Sequence, residues 1–329
     1  MSQPGRPRVL LLHTVLDPGP ALLEEAVETV QFPSGAAHDE ATIRQHAEGC
    51  FGILAQVTDP IRETVLSTPG LKCVSNVAVG FDNIDLEAAT QHGVMVTNTP
   101  GVLDETTADF AFALMMAVAR RVVQADNFVR GGHFKGWEID MFLGQDVNHA
   151  TLGLIGIGRI GRGVARRARG FNMRVLYSDP NPLLPDAERD MGVTRVELPT
   201  LLQESDFVSL HVPLSDKTHH LIGAAELAQM KPSAILVNTS RGPVIDEAAL
   251  VEALKQHKIF GAGLDVYERE PAVHPALIAA HNVVLAPHIA SASVRTRSEM
   301  SAVAARNMVI AARGGRPANL VNPQVVEKR

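Results

Sequence analysis

Three glycines and four polar side chains stand at spacings that could do chemistry. Gly156-x-Gly158-x-x-Gly161 ends the apolar run Thr151–Ile155 and opens a helical pattern carrying Val164, Ala165 and Ala168. Gly156 permits a tight strand-to-helix turn, Gly158 lets a pyrophosphate approach the backbone, and Gly161 lets the helix pack closely on the strand. The helix that opens at Arg159 and Ile160 offers free N–H groups and the positive end of its dipole to phosphates. Three such glycines alone are equally a glycine-rich turn. Here Asp179 ends a second apolar run, 18 residues beyond Gly161. A carboxylate there accepts hydrogen bonds from both hydroxyls of an adenosine ribose and repels a 2′-phosphate. The stretch reads as a dinucleotide site, for NAD in preference to NADP.

Arg241 follows the apolar run Ala234–Asn238, Glu270 follows Gly261–Val266, and His288 follows Asn282–Leu285. Ligands of open parallel sheets bind beyond the carboxyl ends of the strands, so all three fall at one sheet edge. Singly they are a surface turn residue, a solvated charge before Pro271 and a loop histidine. Together, beside a dinucleotide, they form an apparatus. The arginine offers paired bonds to a substrate carboxylate. The histidine gives or takes an alcohol proton, and the carboxylate orients it and favours its charged form.

The elements that must position these residues alternate between apolar strands and helical patterns, which predicts a parallel α/β architecture. In the first part Val9–Leu12, Gly52–Ala55, Lys72–Asn76 and Val94–Thr97 read as strands. Ala21–Val30, Asp39–Glu48, Ile61–Ser67 and Leu86–His92 read as helices, with Asp59-Pro60 as a helix start. Asn98-Thr99-Pro100-Gly101 reads as a turn and hinge. A nearly all-apolar helix is predicted from Glu105 to Val129, wedged between domains or subunits and stopped by Gly131-Gly132. The irregular segment from His133 to Asn148, with Trp137, is either a loop on its own domain or an arm on a partner subunit. Later strands are Phe207–Leu210, Ala234–Asn238, Gly261–Val266 and Asn282–Leu285. The helices among and after them are Thr200–Glu204, Ala224–Met230, Asp246–His257 and Val294–Arg313.

With 329 residues, two domains are the natural expectation. A net charge of −6 and an aromatic content of 4% argue against a nucleic-acid binder. Cys50 and Cys73 have no metal-ligand spacing and fit a reducing compartment, and no metal site is predicted. The apolar run Val9–Leu12, interrupted by His13 before Val15-Leu16, is too short to cross a membrane and has no signal-peptide cleavage pattern. A cytoplasmic protein without membrane partners is expected.

Asn238-Thr239-Ser240-Arg241-Gly242, the run from Gly263 to Pro271, and Pro287-His288-Ile289-Ala290-Ser291 resemble the D-isomer-specific 2-hydroxyacid dehydrogenases. The runs Val77–Asp85 and Asn98–Val102 look like the glyoxylate/hydroxypyruvate/2-ketogluconate reductase branch, and the resemblance covers nearly the whole chain. It implies two Rossmann-like, doubly wound parallel-sheet domains flanking an active-site cleft. The catalytic domain would be discontinuous, residues 1–99 plus 290–329, and the dinucleotide domain would be 100–289. By the same resemblance Arg241 binds the substrate carboxylate, His288 is the acid/base that also touches substrate, and Glu270 is its partner. The backbone at Val79 and Gly80 is implied to bind the carboxylate too. Thr107, His211, Pro213, Thr218, Thr239 and Asp265 would line the cofactor, with His211 structural rather than catalytic. His219 and His220 are expected to be exposed. Met141-Phe142 stands where some glyoxylate reductases place a tryptophan from the partner subunit. With Gln56 near the implied pocket, it bears on which keto acid fits.

The resulting expectation is an NAD-linked homodimeric reductase that turns a small 2-keto acid into a D-2-hydroxy acid. The rival is a nucleotide-sensing interaction protein, since the family also contains dehydrogenase-like corepressors.

Overall fold

The structure, a computed structural model, describes residues 5–327. Residues 1–4 and 328–329, which the expected discontinuous domain includes, lie outside the described residues. The chain divides into two compact units, one running to Leu103 and resuming at Ala292, the other spanning Asp104–Ser291. No helix among the described residues is long and apolar enough to cross a membrane.

The first unit holds a parallel sheet of β1 (Arg8–Leu11), β2 (Glu28–Gln31), β3 (Gly52–Ala55), β4 (Cys73–Asn76) and β5 (Met95–Thr97), in the order β2-β1-β3-β4-β5. Its inner strands are apolar runs because both sheet faces are covered. Leu10, Ile53, Val74 and Val96 point into one core, with Ile43, Val65 and Ala89 from the helices on that side. Val9, Leu11, Leu54, Cys73 and Met95 point into the other, against Ala304, Ala305 and Met308 of the helix Val294–Ala312. The packing there is tight: a Cβ on Gly52 would come within 2.6 Å of the Met308 sulfur, and that side chain would have to shift.

Two expectations for this unit are corrected. The stretch Ala21–Val30 is a short helix, Gly19–Glu24, followed by β2. Glu28, Thr29 and Gln31 are exposed or edge-facing, so this outermost strand carries no apolar alternation to betray it. Asp59 caps no helix, because the next one spans Glu63–Leu66 with Arg62 at its N-cap.

The second unit holds β6 (Thr151–Ile155), β7 (Arg174–Ser178), β8 (Val193–Arg195), β9 (Phe207–Leu210), β10 (Ile235–Asn238), β11 (Gly261–Leu264) and β12 (Val283–Leu285). All are parallel, in the order β12-β11-β10-β9-β6-β7-β8. The chain reverses direction across the sheet between β6 and β9, the usual switch point for ligand binding. The strand β8 and the helix Pro185–Met191 before it escaped sequence reading.

The predicted Glu105–Val129 helix is two helices, Asp104–Ala119 and Val122–Arg130, joined through Arg121 at φ +51°. The break has a distant cause. The Ala119 carbonyl accepts the Gln145 N–H at 2.8 Å, Arg121 Nε donates to the Leu143 carbonyl, and its guanidinium lies 4.8 Å from the Phe260 ring centre. Ala108, Ala111, Met115 and Val118 of the first helix bury themselves in their own unit's core. The arm that causes the break exposes Trp137 by 79% and Ile139 by 80%.

Candidate active site

The glycine turn forms as its spacing demands. Gly156 adopts φ +94°, and a Cβ on it would stand 2.5 Å from the His211 carbonyl oxygen. A Cβ on Gly161 would collide with the Gly156 carbonyl oxygen. Gly158 differs, since its Cβ would meet nothing within 4 Å. It is the N-cap of the helix Arg159–Arg169, whose first N–H groups have no intrahelical acceptor. Arg159 pairs with Asp104 at 3.2 Å, and the partly buried Ile160 packs against the core beneath the turn.

Asp179 lies one residue past β7. Its Oδ2 accepts the Ile157 N–H at 2.9 Å and its Oδ1 accepts the Asn181 N–H at 2.8 Å. The carboxylate thus braces the glycine turn from within. Each oxygen keeps a further lone pair, the capacity a ribose diol would need.

Beyond β11 and β12 the structure brings Glu270 and His288 together. Glu270 Oε2 lies 2.8 Å from His288 Nδ1, while Oε1 accepts the Tyr267 N–H at 3.0 Å. Burial works to raise the Glu270 pKa. The hydrogen bond and charge of His288, the Tyr267 N–H and the charge of Arg241 outweigh it and hold the carboxyl below the usual range. His288 sits at φ +53°, with its N–H donating to the Asp265 carbonyl at 2.9 Å. A histidine in this left-handed conformation is held by its surroundings.

Asp265 is fully buried, and its two oxygens accept the Ile289 and Ala290 N–H groups at 2.7 and 2.8 Å. It fixes the backbone on the far side of His288. Tyr267, its phenol pushed up to about 12 by burial, donates to the Ala286 carbonyl at 2.9 Å and closes the same turn. Arg241 follows β10. Its carbonyl accepts the Asn238 amide and its Nη1 donates to the Ser240 carbonyl, both at 2.8 Å. Gly242 is obligatory beside it, because a Cβ there would overlap the Tyr267 backbone.

The other expected cofactor residues divide by what their polar atoms already do. Thr239 Oγ1 is buried without a hydrogen-bond partner among the described residues, at the end of β10. A buried hydroxyl in that condition has hydrogen-bonding capacity to spare. Together with the open side of Gly158, it fits a dinucleotide lying along this edge. Thr107 is buried on the helix Asp104–Ala119. His211 Nε2 lies 2.9 Å from Ser209 Oγ, and burial pushes its pKa down to about 4, so it is a neutral packing group. Thr218 Oγ1 donates to the Pro213 carbonyl at 2.6 Å and accepts the Ser215 N–H, which closes its own loop. His219 is exposed as expected, but His220 is partly buried and pairs with Glu268 at 3.2 Å.

In the first unit Val79 and Gly80 follow β4. Asn98 donates to the Val79 carbonyl and Asn76 to the Gly80 carbonyl, each at 2.8 Å, and among the described residues the N–H groups of Val79 and Gly80 meet no acceptor. Sequence reasoning missed what supports them. Asn76 donates to Asn83, which donates to the carbonyls of Gln56 and Asp59, and Asp59 Oδ2 accepts the Gln56 N–H. Asparagines in strands and turns are too common for sequence alone to single these out.

A helix N-terminus freed by glycines, with a histidine–carboxylate pair on the same strand edge, places the second unit among dinucleotide-dependent oxidoreductases. Comparison with known proteins narrows the class. Residues 112–290 match the D-isomer specific 2-hydroxyacid dehydrogenase, NAD binding domain. The chain is 51% identical over 328 residues to a glyoxylate reductase of Korarchaeum cryptofilum, covering 98% of each. Among solved structures it resembles a glyoxylate reductase from Paecilomyes thermophila, with TM-score 0.86 and 34% identity over 98% of this chain and 100% of that one. It also resembles an NADPH-dependent glyoxylate/hydroxypyruvate reductase of Sinorhizobium meliloti in complex with NADP and malonate. There the TM-score is 0.86, with 34% identity over 98% of both chains. The chain belongs to the D-isomer-specific 2-hydroxyacid dehydrogenase family. It is an oxidoreductase of the CH–OH group of 2-hydroxy acids with a nicotinamide dinucleotide cofactor.

Proposed function

We propose that this enzyme reduces glyoxylate and similar short 2-keto acids to D-2-hydroxy acids, with NADH in preference to NADPH. The observation that carries the reading is the 2.8 Å His288–Glu270 pair on the strand edge that also bears Arg241. A dihydronicotinamide dinucleotide, held by the Gly156–Gly161 turn and Asp179, would supply a hydride to the carbonyl carbon. His288 gives the carbonyl oxygen a proton, while Glu270 fixes the ring through Nδ1 and balances its charge. Arg241 grips the carboxylate with a planar fork, so that one face of the keto acid is presented. The backbone at Val79 and Gly80, in the first unit, is assigned to substrate binding. This makes the first unit the substrate domain and the second the dinucleotide domain.

Asp179 supports NAD, because a 2′-phosphate would meet its charge. The NADP complex of the Sinorhizobium relative makes this preference worth measuring directly. The exposed apolar arm around Trp137 and Ile139 supports a homodimer, and two unpaired, buried cysteines suit a reducing cytoplasm. The deciding experiment is NADH and NADPH oxidation with glyoxylate, hydroxypyruvate and 2-ketogluconate. Turnover of glyoxylate with NADH as the better cofactor is the expected result. NADH binding without turnover of any keto acid would favour the nucleotide-sensing role instead. Light scattering should report a dimer, and a monomer would reject that part of the reading.

A further inference from the structure

Next to the network that supports Val79 and Gly80, the first unit gathers three ligating side chains at one point. His13 lies two residues past β1, His38 lies between β2 and the helix Glu40–Ala47, and Asp59 lies four residues past β3. The three strands are adjacent and parallel, so the three residues share the carboxyl edge of the sheet. The strand order reverses between β1 and β3, which makes this the switch point of the first sheet. Sequence spacing hid the group, because its members come from three separate loops.

The geometry points to a binding site for a borderline divalent transition metal such as Zn2+, with His13 Nε2, His38 Nδ1 and Asp59 Oδ1 as its ligands. These donor atoms all lie within 4.8 Å of one another. Asp59 Oδ1 stands 2.9 Å from each of the two ring nitrogens. Ligands on a tetrahedral zinc sit roughly 3.4 Å apart, so the histidines need to open by about half an ångström. The carboxylate is wholly buried, and its other oxygen is already turned by the Gln56 N–H at 2.7 Å. That second bond is the kind of support that fixes a metal-ligating carboxylate. Both rings are also constrained. They stack on each other at 4.6 Å, and His38 packs on Phe32 at 4.7 Å. Each histidine side chain remains about a third exposed, at 29% and 35%, which leaves an entry path and room for water as a fourth ligand.

The donor set chooses the ion. Two imidazoles and one carboxylate favour Zn2+, Ni2+ or Cu2+ over Mg2+ and Ca2+, which prefer all-oxygen shells. The competing account is a hydrogen-bonded triad that merely ties three loops together.

The test is equilibrium dialysis of the full chain, free of any histidine tag, against micromolar Zn2+ in competition with a chromogenic chelator. Metal content is read per chain by mass spectrometry. Wild type should retain one equivalent more than the double variant His13→Asn plus His38→Asn. His38→Asn alone, a partly exposed position that should fold normally, should weaken that equivalent at least about tenfold. A variant at the exposed His219 should leave it unchanged, and Mg2+ in excess should not displace it. The proposal is overturned if wild type retains no equivalent, or if the double variant retains as much as wild type. None of these readouts uses catalysis, so failure here leaves the reductase reading untouched.

Discussion

Glu270 divides its carboxylate between His288 Nδ1 at 2.8 Å and the backbone N–H of Tyr267 at 3.0 Å, so the imidazole is attached to a rigid turn. A charge fixed to backbone cannot drift as the substrate changes charge. Glu270→Gln keeps the shape but removes the charge, and kcat for keto-acid reduction should fall roughly ten- to hundredfold. His288→Asn should lose about 10²- to 10⁴-fold, the usual contribution of general acid catalysis, while NADH still binds. Stopped-flow reduction and NADH fluorescence titration separate the two effects. Unchanged turnover in His288→Asn would remove it from the chemistry.

Because the Glu270 carboxyl is held below its usual range, its contribution to stability is complete above the unfolded-state value. It is lost as pH falls through the lower, folded value. His211 acts over a different interval. Its pKa of about 4 lies below the ordinary value near ~6.5, so the unfolded chain takes up the proton first on acidification. Stability should therefore decline from about pH 6.5 down to about 4, by an amount on the order of 3 kcal/mol. Urea unfolding at both ends of that interval should show a smaller decline in His211→Gln. An equal decline would mean that other groups set the acid sensitivity.

Arg241→Lys keeps the positive charge and loses the planar fork. The KM for glyoxylate should rise by roughly tenfold or more, with NADH affinity nearly constant. If Arg241→Ala leaves keto-acid kinetics intact, no carboxylate clamp operates there.

Gly158→Ala and Gly161→Ala should fail in opposite ways. At Gly161 the new methyl meets the Gly156 carbonyl, and about 1–3 kcal/mol of stability should be lost. At Gly158 it meets no protein atom, so the melting temperature should hold while the KM for NADH rises. Thermal melts paired with cofactor kinetics distinguish these outcomes, and equal damage to both melting temperatures would contradict the assignment of the open side to pyrophosphate.

Asp179→Ser with Asn181→Arg should shift preference toward NADPH. It should also cost about 1–2 kcal/mol, because two N–H groups, of Ile157 and Asn181, lose their acceptor. Wild type with equal or better efficiency on NADPH would refute the role given to Asp179.

The elements legible in the sequence are those whose cause is local. Gly52–Ala55 and Phe207–Leu210 are apolar because both of their faces are buried, and a reader sees four apolar or small residues in a row. Glu28–Gln31 at a sheet edge offers no such run, and its first three residues read as the end of a helix. The break at Arg121 depends on Gln145 and Phe260, which no window around it contains. In the site, Arg241, Glu270 and His288 were legible because each follows a strand. Asp59 before Pro60 reads as a helix start, because its side-chain partners lie 46 and 21 residues earlier in the chain. The grip of Tyr267 on Glu270 is a backbone bond and leaves no mark in residue types.

The helix Val294–Ala312 covers one face of the first sheet, yet it is made after the whole of the second unit. Ser75 waits for the Ala304 carbonyl and the Val96 N–H waits for the Asn322 side chain, partners more than two hundred residues away. During vectorial synthesis, the apolar row of Val9, Leu11, Leu54, Cys73 and Met95 therefore leaves the ribosome without that cover. The intervening unit is one continuous stretch, Asp104–Ser291, and is free to fold before that helix is made. Completion of the first sheet's packing therefore waits until the inserted segment has been synthesised.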